Sequence, residues 1–241
     1  MTETSAFPAE FANEDELRKE VERRVRHTSL VLDIGCGIRP QDIFAPRVHL
    51  CVDPHLPYLV KLLEKSPPDR GRTVLNCSWR QIMKMLPDAS VETVFALDFI
   101  EHLDRNEGSE FLAEACRVSS VQVVLFTPLG YYEQELPDDG VTDKWGMNGG
   151  IWQVHRSGWT PNDFEGWEVL VCRDFHPPET GKDGQPLPTG AFWAIKDIPP
   201  LPDKVLSHNT AKAPSHFNAQ LLRVGRGVVR RFCRILRITQ R

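Results

Sequence analysis

The chain has 241 residues, with 29 Lys and Arg against 33 Asp and Glu for a net charge of -4, and 41% of it is hydrophobic. That length buries a full core and suits one large α/β domain with appendages better than two independent domains. No run approaches the roughly 18 consecutive apolar residues of a membrane span, and the six cysteines form no CxxC pair, so free buried thiols are expected rather than zinc or disulfides.

The N-terminal MTETSAFPAEFANEDELRKE is polar and acidic where a signal peptide is basic and then apolar, so a cytoplasmic protein is expected. Leu17, Val21 and Val25 recur at i, i+4 and i+8, predicting an amphipathic helix over residues 13–27 behind an Asn13 or Asp15 cap. Five short β-branched runs follow, SLVLDI, RVHLCVD, RTVLNC, VETVFALD and VQVVLFTP, separated by segments such as LPYLVKLLEK and NEGSEFLAEACRVS with helical spacing. Strand and helix in alternation predict a parallel sheet with helices on both faces. Residues 131–165 break the alternation with a run rich in Gly, Asp and aromatics, and an irregular segment of that length is expected to be functional, as a lid or substrate wall. WEVLVCRDF and GAFWAIKDI then read as a hairpin joined by HPPETGKDGQPLPT. The expected fold is α/β and Rossmann-like, a seven-stranded mostly parallel sheet with a final antiparallel hairpin.

DIPPLPDK reads as a stiff linker, and the last stretch places Arg223, Arg226, Arg230, Arg234, Arg237 and Arg241 in one stripe at about 100° per residue, opposite Leu221, Val228, Phe232, Ile235 and their neighbours. Residues 219–241 are therefore predicted as a basic amphipathic helix, suited to an anionic membrane surface, to its own domain or to another subunit. Every Asp and Glu lies at or before Asp203, so the body carries 20 basic residues against 33 acidic ones and the tail nine basic residues alone. Such a split points to an anionic surface meeting the tail, or to a tail docked on its own acidic body. The predicted organisation is an N-terminal helix over the cofactor site (1–28), a catalytic domain (29–198) with an insertion (131–165), and the linker and tail (199–241).

In an open parallel sheet, ligands sit beyond the carboxyl ends of the strands where the order reverses, and VLDIGCGIRP sets Asp33, Gly35 and Gly37 at the end of the first such strand. Glycines let a cofactor approach the backbone, and the carboxylate favours a cationic centre over a pyrophosphate. The dinucleotide fingerprint is broken, since IRPQ follows Gly37 without a third glycine. Twenty residues after Asp33, Asp53 ends HLCVDPH, where an acid can accept hydrogen bonds from both ribose hydroxyls.

VLDIGCG, CVDP and VFALDFIEHL with EACRV, in that order, resemble the class I S-adenosylmethionine-dependent methyltransferases, in their small-molecule (UbiE/UbiG-like) branch, over residues 28–130. The resemblance implies S-adenosyl-L-methionine as cofactor, with Asp33, Gly35, Cys36 and Gly37 along its methionine part, Asp53 and Pro54 at the ribose, Cys77 and Ser78 near the adenine, and Asp98 beside the methyl donor. The sequence departs from the family at NCSW, which lacks the usual adenine-side acid, and at SSVQ, which stands where the family has PGG.

LDFIEHL also lacks the Asn/Asp-Pro-Pro-aromatic tetrapeptide of adenine and glutamine N-methyltransferases, so a hydroxyl acceptor is expected, on a small-molecule or glycan-like compound, free or lipid-carried. A neutral alcohol needs a base, and His102 and His155 are the candidates, beside Asp98. Trp152 and Trp159 flank His155 and are expected to wall the acceptor pocket. Asp98, Glu101 and His102 followed by His155 in HRSGWT also resemble the metal site of small-RNA 2'-O-methyltransferases, an alternative that adds Mg or Mn, although the first reading assigns no metal. The acidic body argues against nucleic acid, and a non-catalytic cofactor-binding scaffold is the remaining alternative.

Overall fold

The computed structural model describes residues 8–65, 71–132, 142–178, 180, 184, 186 and 189–200. The tail 219–241 and part of the insertion lie outside them. Asn13 caps the first helix, α1 (Glu14–Arg24), its side chain accepting the Glu16 N–H at 3.0 Å, and three acids in the first turn with two arginines in the last complement the helix dipole. The helix ends earlier than its periodicity suggests because Val25 is already extended.

A short strand β1 (Ala9–Phe11) precedes it. The sheet continues with β2 (Leu30–Ile34), β3 (Val48–Val52), β4 (Arg72–Leu75), β5 (Val91–Leu97), β6 (Ser119–Pro128), β7 (Glu168–Cys172) and β8 (Ala191–Asp197). Their order is β1-β7-β8-β6-β5-β2-β3-β4, with β8 antiparallel to both β6 and β7 and all other pairs parallel. The described sheet therefore has eight strands where seven are expected. The eighth is β1, which pairs with β7 from Ala9↔Leu170 to Phe11↔Cys172. Because β3 and β4 step one way from β2 while β5 and β6 step the other, the switch point lies between β2 and β5.

Both faces are covered. On one, α3 (Trp79–Met85) and α4 (Arg105–Val118) bury Trp79, Met83, Phe111 and Ala115 against Leu32, Val94 and Val123. On the other, Leu17 and Val21 of α1 are fully buried with Phe95, Leu170 and Trp193, each such aliphatic side chain contributing about 1.5–3 kcal/mol. The N-terminal helix thus packs on a sheet face, and its residues line neither of the cavities described below. Helix α2 (Leu56–Lys65) buries Leu59 and Leu62 with Cys36 and Cys51. No helix among the described residues is long and apolar enough to cross a membrane.

Candidate active site

The turn after β2 is built from two residues in the left-handed region, Gly35 (φ +66°) and Gly37 (φ +51°). At Gly35 a Cβ would stand 2.3 Å from the Phe99 ring, so only glycine lets the turn after β5 close on the turn after β2; at Gly37 the space is open and the requirement is conformational. Asp53, at the end of β3, fixes this turn. Its Oδ2 accepts the Gly37 N–H at 3.0 Å and its Oδ1 the His55 N–H at 2.8 Å. Burial raises the pKa of this carboxyl, and the two backbone N–H groups oppose the shift. A carboxylate has about four lone-pair sites, so capacity remains for a ligand's hydroxyls.

Asp33 behaves differently from expectation. It is 1% exposed, lines neither cavity, and its Oδ2 accepts the Gln41 N–H at 2.8 Å and faces the His49 ring at 3.0 Å. Burial works against a charged His49 ring, yet the hydrogen bonds to Asp33 and Cys51 outweigh it and raise its pKa to about 9. The acid that suggests a cofactor contact is an internal strut for the loop after Gly37. Cys36 beside it is buried and lines the second cavity.

Two cavities meet at the switch point. The first, about 260 Å³, is lined by Gly35, Gly37, Asp53, Pro54, Cys77, Ser78, Asp98 and Phe99, so the residues expected at the ribose and adenine share one wall. Ser78 is also the N-cap of α3, its hydroxyl bonded to Gln81 Oε1 at 3.0 Å while the Ser78 N–H donates to the same oxygen at 2.8 Å. The second cavity, about 280 Å³, is lined by Cys36, Arg39, Glu101, Lys144, His155 and others. Gly35, Gly37, Tyr58, Asp98, His102 and Gln153 line both. Asp98 holds a left-handed backbone (φ +48°), strain of the kind that gathers at functional sites. Crowding by protein and then the neighbouring Glu101 raise its carboxyl pKa, an effect tempered by the cavity on which it opens.

In the lining of the second cavity, single donor atoms of Glu101, His102 and His155 lie within 4.8 Å of one another. The rings of His102 and His155 are 5.0 Å apart. His102 Nδ1 bonds the Val154 carbonyl at 3.1 Å and His155 Nδ1 the Tyr132 carbonyl at 2.8 Å, so each Nδ1 carries the proton and each Nε2 is left as an acceptor. Burial lowers the pKa of both rings, that of His155 to about 4. Glu101 Oε2 accepts the Thr127 hydroxyl at 3.0 Å, but its buried Oε1 has no partner, and burial raises the carboxyl pKa to about 7. A buried carboxylate with one unpartnered oxygen, grouped with two imidazoles each held through its Nδ1 by a carbonyl, fits a divalent cation by its donor chemistry.

The insertion supplies His155 by docking as a strap. Glu101 O accepts the Arg156 N–H at 2.7 Å and the Ser157 N–H at 3.1 Å, and Ser157 Oγ bonds Leu103 O at 2.8 Å. Trp159 is 2% exposed, donates from Nε1 to Ser157 Oγ at 2.9 Å and belongs to the main core, while Trp152 is 43% exposed and lines the first cavity. Neither tryptophan walls the second cavity, contrary to expectation: HRSGW alternates a site residue with core anchors. His155, 7% exposed, is no loose loop histidine.

Upstream, Asp143 organises the strap. Its Oδ1 accepts the Trp145 and Met147 N–H groups, each at 2.9 Å, and its Oδ2 the Gly149 N–H at 2.8 Å and the Tyr58 hydroxyl at 2.6 Å. Burial raises the Tyr58 pKa, so that hydroxyl stays a donor. Sequence reasoning missed Tyr58, Asp143, Lys144 and Gln153. The Asp followed by Gly and Asn in DKWGMNGG was the available signal, since such an acid commonly binds the backbone of its own turn.

No family model matches the chain, and neither does any curated protein. Among solved structures it is similar to a protein of Bacillus halodurans assigned as a methyltransferase, at 13% identity over 77% of this chain and 99% of that one, with a TM-score of 0.52. It is also similar to TehB of Haemophilus influenzae, at 11% identity over 77% of this chain and 62% of that one, TM-score 0.51. A third is the magnesium protoporphyrin IX methyltransferase of Synechocystis with bound S-adenosylhomocysteine, at 12% identity over 77% and 81%, TM-score 0.45. The chain has the class I methyltransferase fold.

Proposed function

We propose that this protein is an S-adenosyl-L-methionine-dependent methyltransferase that methylates a hydroxyl of a small-molecule or glycan-like acceptor. The observation that carries the reading is the junction of two cavities at Asp98 and His102, one lined by Asp53 and the glycine turn and the other by the histidine pair. Asp53, Gly37 and the Cys77–Ser78 edge hold the nucleoside side of the cofactor, and Asp98 offers a negative charge towards its cationic centre. When bound, S-adenosylmethionine supplies an electrophilic methyl group at that junction.

His102 lines both cavities, so it is assigned as the base. Its Nε2 would take the proton of the acceptor hydroxyl, and bound S-adenosylmethionine would supply the methyl group to that oxygen and leave as a neutral thioether. Holding the two reactants in line in a site closed by the strap supplies much of the acceleration, and the base about 100- to 10,000-fold more. His155, whose ring lies 5.0 Å from that of His102 and which lines the second cavity alone, positions His102 and the acceptor. A second reading is favoured by the orphaned Glu101 Oε1. In it Glu101, His102 and His155 would hold Mg or Mn, which would supply Lewis-acid activation of the acceptor hydroxyl.

Transfer of labelled methyl to a metabolite extract separates these readings. His102→Ala is expected to lower turnover by about 100-fold or more while S-adenosylhomocysteine affinity stays within about three-fold. Activity that survives EDTA removes the metal reading, and full activity in His102→Ala removes the base assignment. Cofactor binding without transfer to any extract component would mark a scaffold.

A further inference from the structure

The second cavity carries two cations that the proposed chemistry does not use. Elsewhere in the described, acid-rich body, arginines such as Arg26, Arg105 and Arg117 are tied to carboxylates, while Arg47 and Arg156 are not. Arg39 and Lys144 line the cavity and meet no carboxylate within ion-pair distance among the described residues. Lys144 is held over the Trp145 ring, 4.6 Å from its centroid, at the start of the strap that Asp143 fixes. Lys144 lines the same cavity as Asp98, His102 and His155. Arg39, exposed like Lys144, lines the cavity from the turn after β2, two residues beyond Gly37.

We infer that the acceptor carries an anionic group, a carboxylate or a phosphate ester, held by Arg39 and Lys144 above the histidine pair. This rests on the methyltransferase reading and narrows its substrate class. A neutral polyol would leave these two cations without a partner in the complex, since the acids of the cavity, Asp98 and Glu101, have work of their own: Asp98 towards the cofactor's cationic centre and Glu101 towards the histidines. Charge-assisted contacts to an anion are roughly twice as strong as neutral ones, and the Arg39 guanidinium adds a planar, two-pronged match to either oxyanion. Trp145, packed edge to face against the buried Tyr58 with ring centroids 5.6 Å apart, lines the same cavity beside Lys144. The combination describes an acidic sugar or a comparable hydroxylated acid better than a neutral one.

The test uses the full chain saturated with S-adenosylhomocysteine, titrated with methyl β-D-glucuronide, glucose 1-phosphate and neutral methyl β-D-glucoside, with binding read by ligand-observed NMR. At least one anion is expected to bind about ten-fold or more tightly than the glucoside, equivalent to one charged contact, and the better anion identifies carboxylate or phosphate. Lys144→Gln and Arg39→Gln should each erase most of that preference while S-adenosylhomocysteine affinity stays within about two-fold. Equal binding of all three sugars, or binding of none, overturns the inference and leaves the methyltransferase reading standing. Variants that lose S-adenosylhomocysteine affinity yet keep the anion preference also overturn it, by assigning the cations to the cofactor's own carboxylate. A wild-type chain that does not bind S-adenosylhomocysteine sinks the methyltransferase reading itself.

Discussion

Glu101 shows what the site costs the fold. Its carboxyl is 2% exposed, one oxygen has no partner, and its pKa rises from the ordinary 4.5 to about 7, with burial as the leading cause. The folded form therefore keeps a proton that the unfolded chain releases near 4.5. Stability from this residue is fully present below that pH and falls as pH rises through about 7, by roughly 3 kcal/mol in all. His155 has the opposite sign: its folded pKa is depressed to about 4, so its contribution is present above its ordinary 6.5 and is lost as pH falls. Glu101→Gln should thus stabilise the protein by about 1–3 kcal/mol at pH 8, in buffer with EDTA, with a smaller gain at pH 4 and with loss of activity. Urea midpoints at the two pH values check this, and a variant less stable than wild type at pH 8 contradicts it. The spacing of Asp98, Glu101, His102 and His155 was visible in the sequence. The orphaned oxygen was not, because it depends on the Thr127 hydroxyl taking one side of the carboxylate and the core excluding water from the other.

Among the elements, the strap is where close packing is most demanding. A Cβ on Gly149 would lie 2.0 Å from the Tyr58 hydroxyl and 2.7 Å from Asp143 Oδ2, two atoms themselves bonded at 2.6 Å. Gly149 has an ordinary φ of -94°, so Gly149→Ala tests the steric term alone, with an expected loss of about 1–3 kcal/mol and weaker closure of both cavities. Limited proteolysis should cut the variant faster within residues 142–153, and unchanged cleavage contradicts this role for Gly149. The strands and α2 were legible because β-branched runs and four-residue spacing report burial directly. Helix α3 was not identified, although Ser78 and Gln81 form the Ser-x-x-Gln capping box that announces it. Strand β1 left no trace, since three residues at a sheet edge pair through backbone alone and need no alternating pattern. Trp159 misled because a tryptophan beside a site histidine looks like a pocket wall, while Arg105 stacked over its ring, 4.0 Å from the centroid, and Phe164 enclose it in the core.

At the scale of the whole molecule, the charge split remains to be connected with the site. We propose that residues 219–241 bring this protein to an anionic membrane surface, each arginine near the lipid contributing about 1 kcal/mol before salt screening. Full-length protein should pellet with anionic vesicles and be released by raised salt, whereas a chain ending at Asp203 should stay in solution; both forms remaining soluble would contradict the proposal. The central claim is more basic, that the junction at the sheet's switch point holds S-adenosylmethionine with Asp53 at the ribose. Calorimetric titration of the full chain with S-adenosylhomocysteine, on wild type and Asp53→Ala, tests it most directly. The account predicts saturable one-site binding, weakened in the variant by about 1.5–3 kcal/mol, or roughly 10- to 150-fold. Absence of binding, preference for NAD, or an unchanged affinity in Asp53→Ala would contradict it.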